Sequence, residues 1–186
     1  MKYSKLASII TILCLLSSFI PFKEAKAASY VTGNLTIDTD TTLTMDWVIT
    51  SGGVLTIEDD VEITVNCSDA GHYSAGGADA DKIEIIIEDG TLIANDVTFL
   101  GATSNTSCWY GIRVLDEGDA EITNSTIRDA TRGVVVENSS PTITDNFIYQ
   151  IHGEDSVTKQ TKTAYGILVG GASAGPTITG NNIHDV

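Results

Sequence analysis

The chain has 186 residues, with 25 acidic against 10 basic side chains and a formal net charge of −15. A surface this negative repels nucleic acid and anionic membranes, and it disfavours polyanionic ligands unless cations bridge them. The chain also contains no GxSxG elbow, HExxH helix, paired CxxC or phosphate loop, which removes the commonest motif-borne chemistries.

Residues 1–27 read as a secretory leader. Lys2 and Lys5 precede an apolar stretch from Leu6 to Phe22, and Ala25-Lys26-Ala27 supplies the small-residue cleavage site. The apolar core is short for a membrane span and Pro21 sits at its end. Cys14 follows Leu13 rather than a small residue, so no lipid anchor is expected. Cleavage after Ala27 leaves 6 basic and 24 acidic residues, a mature charge of −18. The expected location is secreted: extracellular, cell-surface or periplasmic.

Residues 28–186 are expected to form one domain. Within 28–108, the segments Gly53 to Val65 and Asp89 to Phe99 alternate apolar and polar residues as short strands do, although less regularly than the C-terminal half. Between them, Asn66 to Asp81 (NCSDAGHYSAGGADAD) shows no alternation and marks a long loop, carrying His72 and Tyr73. Cys67 continues the inward phase of Val61, Ile63 and Val65 and is read as a buried thiol. A disulfide to Cys108, permitted outside the cell, stays open as the alternative.

From residue 109 onward the chain repeats itself. Tyr110-Gly-Ile-Arg-Val with Ala120-Glu-Ile-Thr-Asn-Ser-Thr-Ile127 is followed by Arg132-Gly-Val-Val-Val with Pro141-Thr-Ile-Thr-Asp-Asn-Phe-Ile148. A third copy is Tyr165-Gly-Ile-Leu-Val with Pro176-Thr-Ile-Thr-Gly-Asn-Asn-Ile183. A period of about 22 residues with three short alternating runs is one turn of a β-solenoid, in which no unit buries its own apolar face alone. A helical solenoid would need 3.6-residue periodicity over ten or more residues, which is absent after the leader. The second interval is longer because Gly153 to Ala164 (GEDSVTKQTKTA) is inserted, bringing Lys159 and Lys162. The last copy stops at His184-Asp-Val186, so the domain is expected to be a fragment whose coils continue.

The pattern G-[IV]-x-V…P-T-I-T-x-N-x-I resembles the parallel β-helix repeat of the pectin lyase-like superfamily. That resemblance implies an all-β, single-stranded right-handed parallel β-helix. In such a fold alternation assigns each side chain to the lumen or the outside. Ile112, Val114, Val134, Val136, Ile167 and Val169 are expected inside, as are Ile122, Ile143 and Ile178, and then Ile127, Ile148 and Ile183. The strands are expected to be buried on one face only.

Parity also exposes columns of outward residues. In the first run these are Arg113, Val135 and Leu168, then Leu115, Glu137 and Gly170, which hold no pair of carboxylates for glycoside hydrolysis. In the second run Glu121, Thr142 and Thr177, then Thr123, Thr144 and Thr179, form a threonine lattice. An ice-binding reading of that array is weakened by Glu121 and by its small extent. In the third run the columns are Thr126, Phe147 and Asn182, then Arg128, Tyr149 and His184. Arg, Tyr and His at one-strand spacing can hydrogen-bond a sugar, offer an aromatic face or supply the base of an eliminating lyase. Arg128, Phe147, Tyr149, Asn182 and His184 are therefore the candidate ligand residues, and no catalytic residue is assigned.

At the bend between second and third runs stand Asn124 and Ser125, Asp145 and Asn146, then Gly180 and Asn181. Asn, Asp and Gly tolerate the left-handed backbone, and stacked amides can bond along the axis, so Asn124, Asp145, Asn146 and Asn181 are read as a structural ladder. Acidic clusters at Glu58-Asp59-Asp60, at Asp79 and Asp81, and at Asp116-Glu117 with Asp119 offer oxygens to Ca2+ but have neither EF-hand nor RTX nonapeptide spacing. The functional expectation is a secreted non-catalytic β-helix, structural or carbohydrate-binding, with polysaccharide as the expected partner. The rival is a polysaccharide lyase or related enzyme with its site on the third face or beyond residue 186.

Overall fold

The computed structural model describes residues 28–66, 82–101, 109–153 and 164–186. The leader, Cys67, Cys108, His72, Tyr73, Asp79, Asp81, Lys159 and Lys162 lie outside the described residues. Eighteen strands follow one another without a helix among these residues, and each set of three makes one coil. The first coil is β1 (Ala28–Val31), β2 (Asn34–Ile37) and β3 (Thr41–Leu43); the second is β4 (Asp46–Ile49), β5 (Val54–Ile57) and β6 (Glu62–Val65). The third is β7 (Ile83–Ile87), β8 (Thr91–Asn95) and β9 (Thr98–Gly101), and the fourth is β10 (Trp109–Leu115), β11 (Asp119–Thr123) and β12 (Thr126–Ala130). The fifth is β13 (Arg132–Glu137), β14 (Thr142–Thr144) and β15 (Phe147–Ile151), and the sixth is β16 (Tyr165–Gly170), β17 (Thr177–Thr179) and β18 (Asn182–His184).

Every third strand pairs in parallel, giving three six-stranded sheets: β1-β4-β7-β10-β13-β16, β2-β5-β8-β11-β14-β17 and β3-β6-β9-β12-β15-β18. The three repeat copies lie in register, with Ile112 beside Val134 and Val134 beside Ile167; Ile122, Ile143 and Ile178 line up in the same way, as do Ile127, Ile148 and Ile183. The less regular N-terminal segments join the same columns; Ile57, Ala94 and Ile122 are successive partners. One apolar lumen therefore runs from Val31 to Ile151, with Phe99 and Trp109 as its largest members. Each fully buried aliphatic side chain contributes about 1.5–3 kcal/mol, against the entropy of ordering its strand. In the sixth coil, whose strands lie at the sheet edges, Ile178 and Ile183 stay in the inward columns but remain partly exposed.

Glycine opens each first-sheet repeat for a steric reason. A Cβ on Gly133 would lie 2.2 Å from the Gly166 carbonyl oxygen, and one on Gly111, whose φ is +128°, would lie 2.1 Å from that of Arg132. Successive coils approach too closely there for any side chain.

The bend between the second and third sheets is a column of left-handed residues: Asp60, Asp96, Asn124, Asp145 and Gly180, with φ from 50° to 68°. Short polar side chains and glycine accept this backbone at low cost. Immediately after it runs a hydrogen-bonded ladder. The Val97 amide donates to Ser125 Oγ, the Ser125 amide to Asn146 Oδ1, and the Asn146 amide to Asn181 Oδ1, at 2.8–3.1 Å. The Asn146 and Asn181 side-chain amides donate to the carbonyls of Ile122 and Ile143. Ser125 and Asn146 are fully buried, and these bonds satisfy backbone groups that the corner leaves without strand partners.

The expectation that strands are buried on one face only fails for the first sheet. Ile83 to Ile87 are all buried, as are Val134 to Val136, and Val48, Ile86 and Leu115 form a second apolar cluster outside the lumen with Ala28 packed against it. Arg113 and Val135, which alternation places outside, are each only 2% exposed. Alternation reports the side of the sheet a residue occupies; it carries no information on whether that side is wet.

Candidate functional site

Two outer faces carry chemistry-bearing side chains. On the first sheet, β4 supplies Asp46, β7 Glu84, β10 Tyr110 and Arg113, β13 Arg132 and Glu137, and β16 Tyr165. The Glu84 amide donates to Asp46 Oδ1 at 2.9 Å, Arg113 Nη1 donates to Glu84 Oε2 at 3.2 Å, and Arg113 Nη2 lies 3.6 Å from Glu137 Oε1. Arg113 lies over the Tyr110 ring at 5.9 Å and Arg132 over the Tyr165 ring at 5.0 Å. Burial pushes the Tyr110 hydroxyl above its ordinary value, and the nearby Glu84 carboxylate adds to the rise; Arg113 and Arg132, with a hydrogen bond from Arg132, oppose it.

This seam corrects the sequence reading, which found only one lone carboxylate, Glu137, on the first face. Glu84 and Asp46 were missed. The available signal was Glu84 itself, a carboxylate set at an outward position in Ile83-Glu84-Ile85-Ile86-Ile87. Asp46 and Glu84 are fully buried and Arg113 nearly so, and a polymer cannot reach a seam sealed from solvent. The arrangement ties β4, β7, β10 and β13 together through charge-assisted bonds in a low-dielectric setting, where removal of one partner is far more costly than retention of both.

The third sheet is different. Register places Thr126 beside Phe147 and Phe147 beside Asn182, and it sets Arg128, Tyr149 and His184 side by side in the same order. All five candidate ligand residues thus fall in two adjacent outward columns. Phe147 is 51% exposed, and the side chains of Arg128 and His184 are 33% and 48% exposed. Tyr149 and His184 stack with centroids 5.1 Å apart and planes 8° from parallel. Stacked this way, each ring covers part of one face of the other. Phe147, in the column alongside, adds an exposed aromatic surface.

Local charges are paired. Arg128 Nη1 donates to Oδ2 of Asp129, a buried carboxylate in left-handed backbone that also lies 4.0 Å from His152 Nε2. His184 Nδ1 lies 3.0 Å from Asp185 Oδ2; with a carboxylate as partner that nitrogen is the donor, so Nε2 of the neutral ring is an acceptor. The outcome is a polar row of guanidinium, phenol and imidazole with little net charge, beside an exposed phenyl ring flanked by Thr126 and Asn182.

The second sheet presents Thr36, Thr56, Ile93, Glu121, Thr142 and Thr177 in one outward column. Ile93 and Glu121 interrupt its threonines. Asn124, Asp145, Asn146 and Asn181 stand at the corner between the second and third sheets. Among the described residues no three His, Cys, Asp or Glu side chains converge to hold a metal ion, and no helix is long and apolar enough to cross a membrane.

The profile of the right-handed β-helix region matches residues 47–185, about three quarters of the chain, and the protein belongs to that family. No curated protein and no solved structure matches it. Family membership of this kind defines the scaffold and leaves the activity to the side chains mounted on it.

Proposed function

We propose that this protein is an exported, non-catalytic β-helix that binds carbohydrate on the outer face of its third sheet. The supporting observation is the in-register row Arg128, Tyr149 and His184 beside exposed Phe147. Sugar rings present an apolar face ringed by hydroxyls, and an exposed aromatic next to fixed donors and acceptors matches both features. Strands hold these groups more rigidly than loops would, which lowers the ordering cost of binding. Export is supported by the charged, apolar and small-residue segments of the leader.

The test is retention of the mature chain on insoluble polysaccharides and on a glycan array. Retention that is lost in the Phe147→Ala/Tyr149→Ala double variant, with the circular dichroism spectrum unchanged, is the expected result. Retention unaffected by that variant refutes the assignment to this face. Incubation with uronate polymers and calcium is expected to give no ultraviolet-absorbing product; appearance of one would make the protein a lyase instead.

A further inference from the structure

We propose that the ligand is a linear, neutral glycan lying along the solenoid axis, across the strands, so that successive sugars meet Arg128, Tyr149 and His184 in turn. The inference rests on the carbohydrate-binding reading of this face and adds the ligand's direction, minimum length and charge class. The row itself sets the direction. Its three polar ends come from β12, β15 and β18, which are neighbours in one sheet, so the row runs perpendicular to the strands. Adjacent strands are about 4.8 Å apart. That step is comparable with the advance per sugar of an extended, equatorially linked pyranose chain, so over three coils each sugar can meet one polar group, through alternating ring edges where successive sugars are flipped.

The pairing of charges sets the charge class. Arg128 is neutralised by Asp129 and His184 faces Asp185, so the row offers hydrogen bonds without a net positive field. The chain around it carries a formal charge of −15. A polyanion would approach against that field and find the row's basic groups already paired. Stacking holds the Tyr149 and His184 rings in place, so that the phenol hydroxyl and the imidazole Nε2 can meet sugar hydroxyls, and Phe147 offers the apolar surface.

Calorimetric titration of the mature chain with linear β-linked glucose and N-acetylglucosamine oligomers, monomer to hexamer, tests this. Affinity is expected to rise roughly 2- to 10-fold for each sugar added from monomer to trimer, the range of one net hydrogen bond. In His184→Ala the gain from dimer to trimer should be lost while that from monomer to dimer remains, an effect that loss of stability alone does not produce. Uronate oligomers of equal length should bind more weakly, with the gap narrowing as salt is added. Affinity independent of length, or a dimer-to-trimer gain unchanged in His184→Ala, overturns the axial arrangement while leaving a sugar site at Phe147 in place. Tighter binding of uronates overturns the neutral class. Failure of every oligomer to bind, together with no retention on polysaccharide, removes the carbohydrate reading itself.

Discussion

Arg113 and Arg128 occupy equivalent outward positions in the first and third sheets of the same coil, yet they live in different surroundings. Arg113 is sealed and bound to Glu84 and Glu137, while the Arg128 side chain is 33% exposed and pairs with Asp129, its neighbour in sequence. In β7, β10 and most of β13 the first sheet is dry on both faces and uses ionic groups to hold coils together. The third is dry on one face and presents polar groups outward. An arginine therefore serves cohesion in one place and stays within reach of solvent in the other, and the deciding variable is solvent access.

That contrast can be broken from the first-sheet side. Arg113→Met leaves the buried Glu84 carboxylate without its guanidinium and should cost about 3–5 kcal/mol in denaturant unfolding. Pairing it with Glu84→Leu should recover much of the loss, because it also removes the buried carboxylate that the first change leaves without its guanidinium. The corresponding Arg128→Met should shift the midpoint less, because the Arg128 side chain is partly solvated and the buried Asp129 carboxylate keeps His152 at 4.0 Å. A large effect at Arg128 and a small one at Arg113 would invert the reading of the two faces.

The corner between the sheets should respond at an intermediate level. Asn146→Ala removes the acceptor of the Ser125 amide and the donor to the Ile122 carbonyl, at about 1–3 kcal/mol for each group left unsatisfied. At the left-handed position next to it, Asp145→Ala should lose about 1–2 kcal/mol, because alanine keeps the Cβ without the short polar side chain that offsets its strain, while Asp145→Gly, with no Cβ, loses little. Thermal unfolding of the three variants separates amide bonding from backbone strain.

Substitutions on the third face should leave stability nearly untouched. Phe147→Ala is expected to unfold within about 0.5 kcal/mol of the parent, as exposed changes usually do, and the half-buried Tyr149→Ala to lose somewhat more, while both weaken glycan binding. The smallest effect concerns Tyr110. Its hydroxyl titrates above 10.0 in the folded chain because of burial first and Glu84 second, so the folded state favours the protonated form. The resulting stabilisation is fully present below pH 10 and disappears as pH rises through the raised value. Unfolding midpoints measured through that range should fall in the parent and less so in Tyr110→Phe.

The correspondence between alternation and fold was close where the signal was local. Repeated Gly-[Ile/Val] and Pro-Thr-Ile-Thr units predict three strands per coil, the inward isoleucine columns and the corner residues, and the structure shows that architecture. It was incomplete where contacts join distant segments. Glu84 and Arg113 are separated by 29 residues and meet only because β7 and β10 stack. Neither residue belongs to a catalytic or binding motif, and Glu84 lies upstream of the regular repeats.

For this protein the amino-acid order alone determined the coil, its columns and the side of each sheet on which a residue stands. Those properties arise from a two-residue period and from backbone preferences of Gly, Asn and Asp, which act within a few residues. Only the tertiary structure decided which outer faces are dry, which charges pair between coils, and that Tyr149 and His184 stack with their rings nearly parallel. Solvent access and ring orientation are set by everything packed around a side chain, so they become defined only once the coils are stacked.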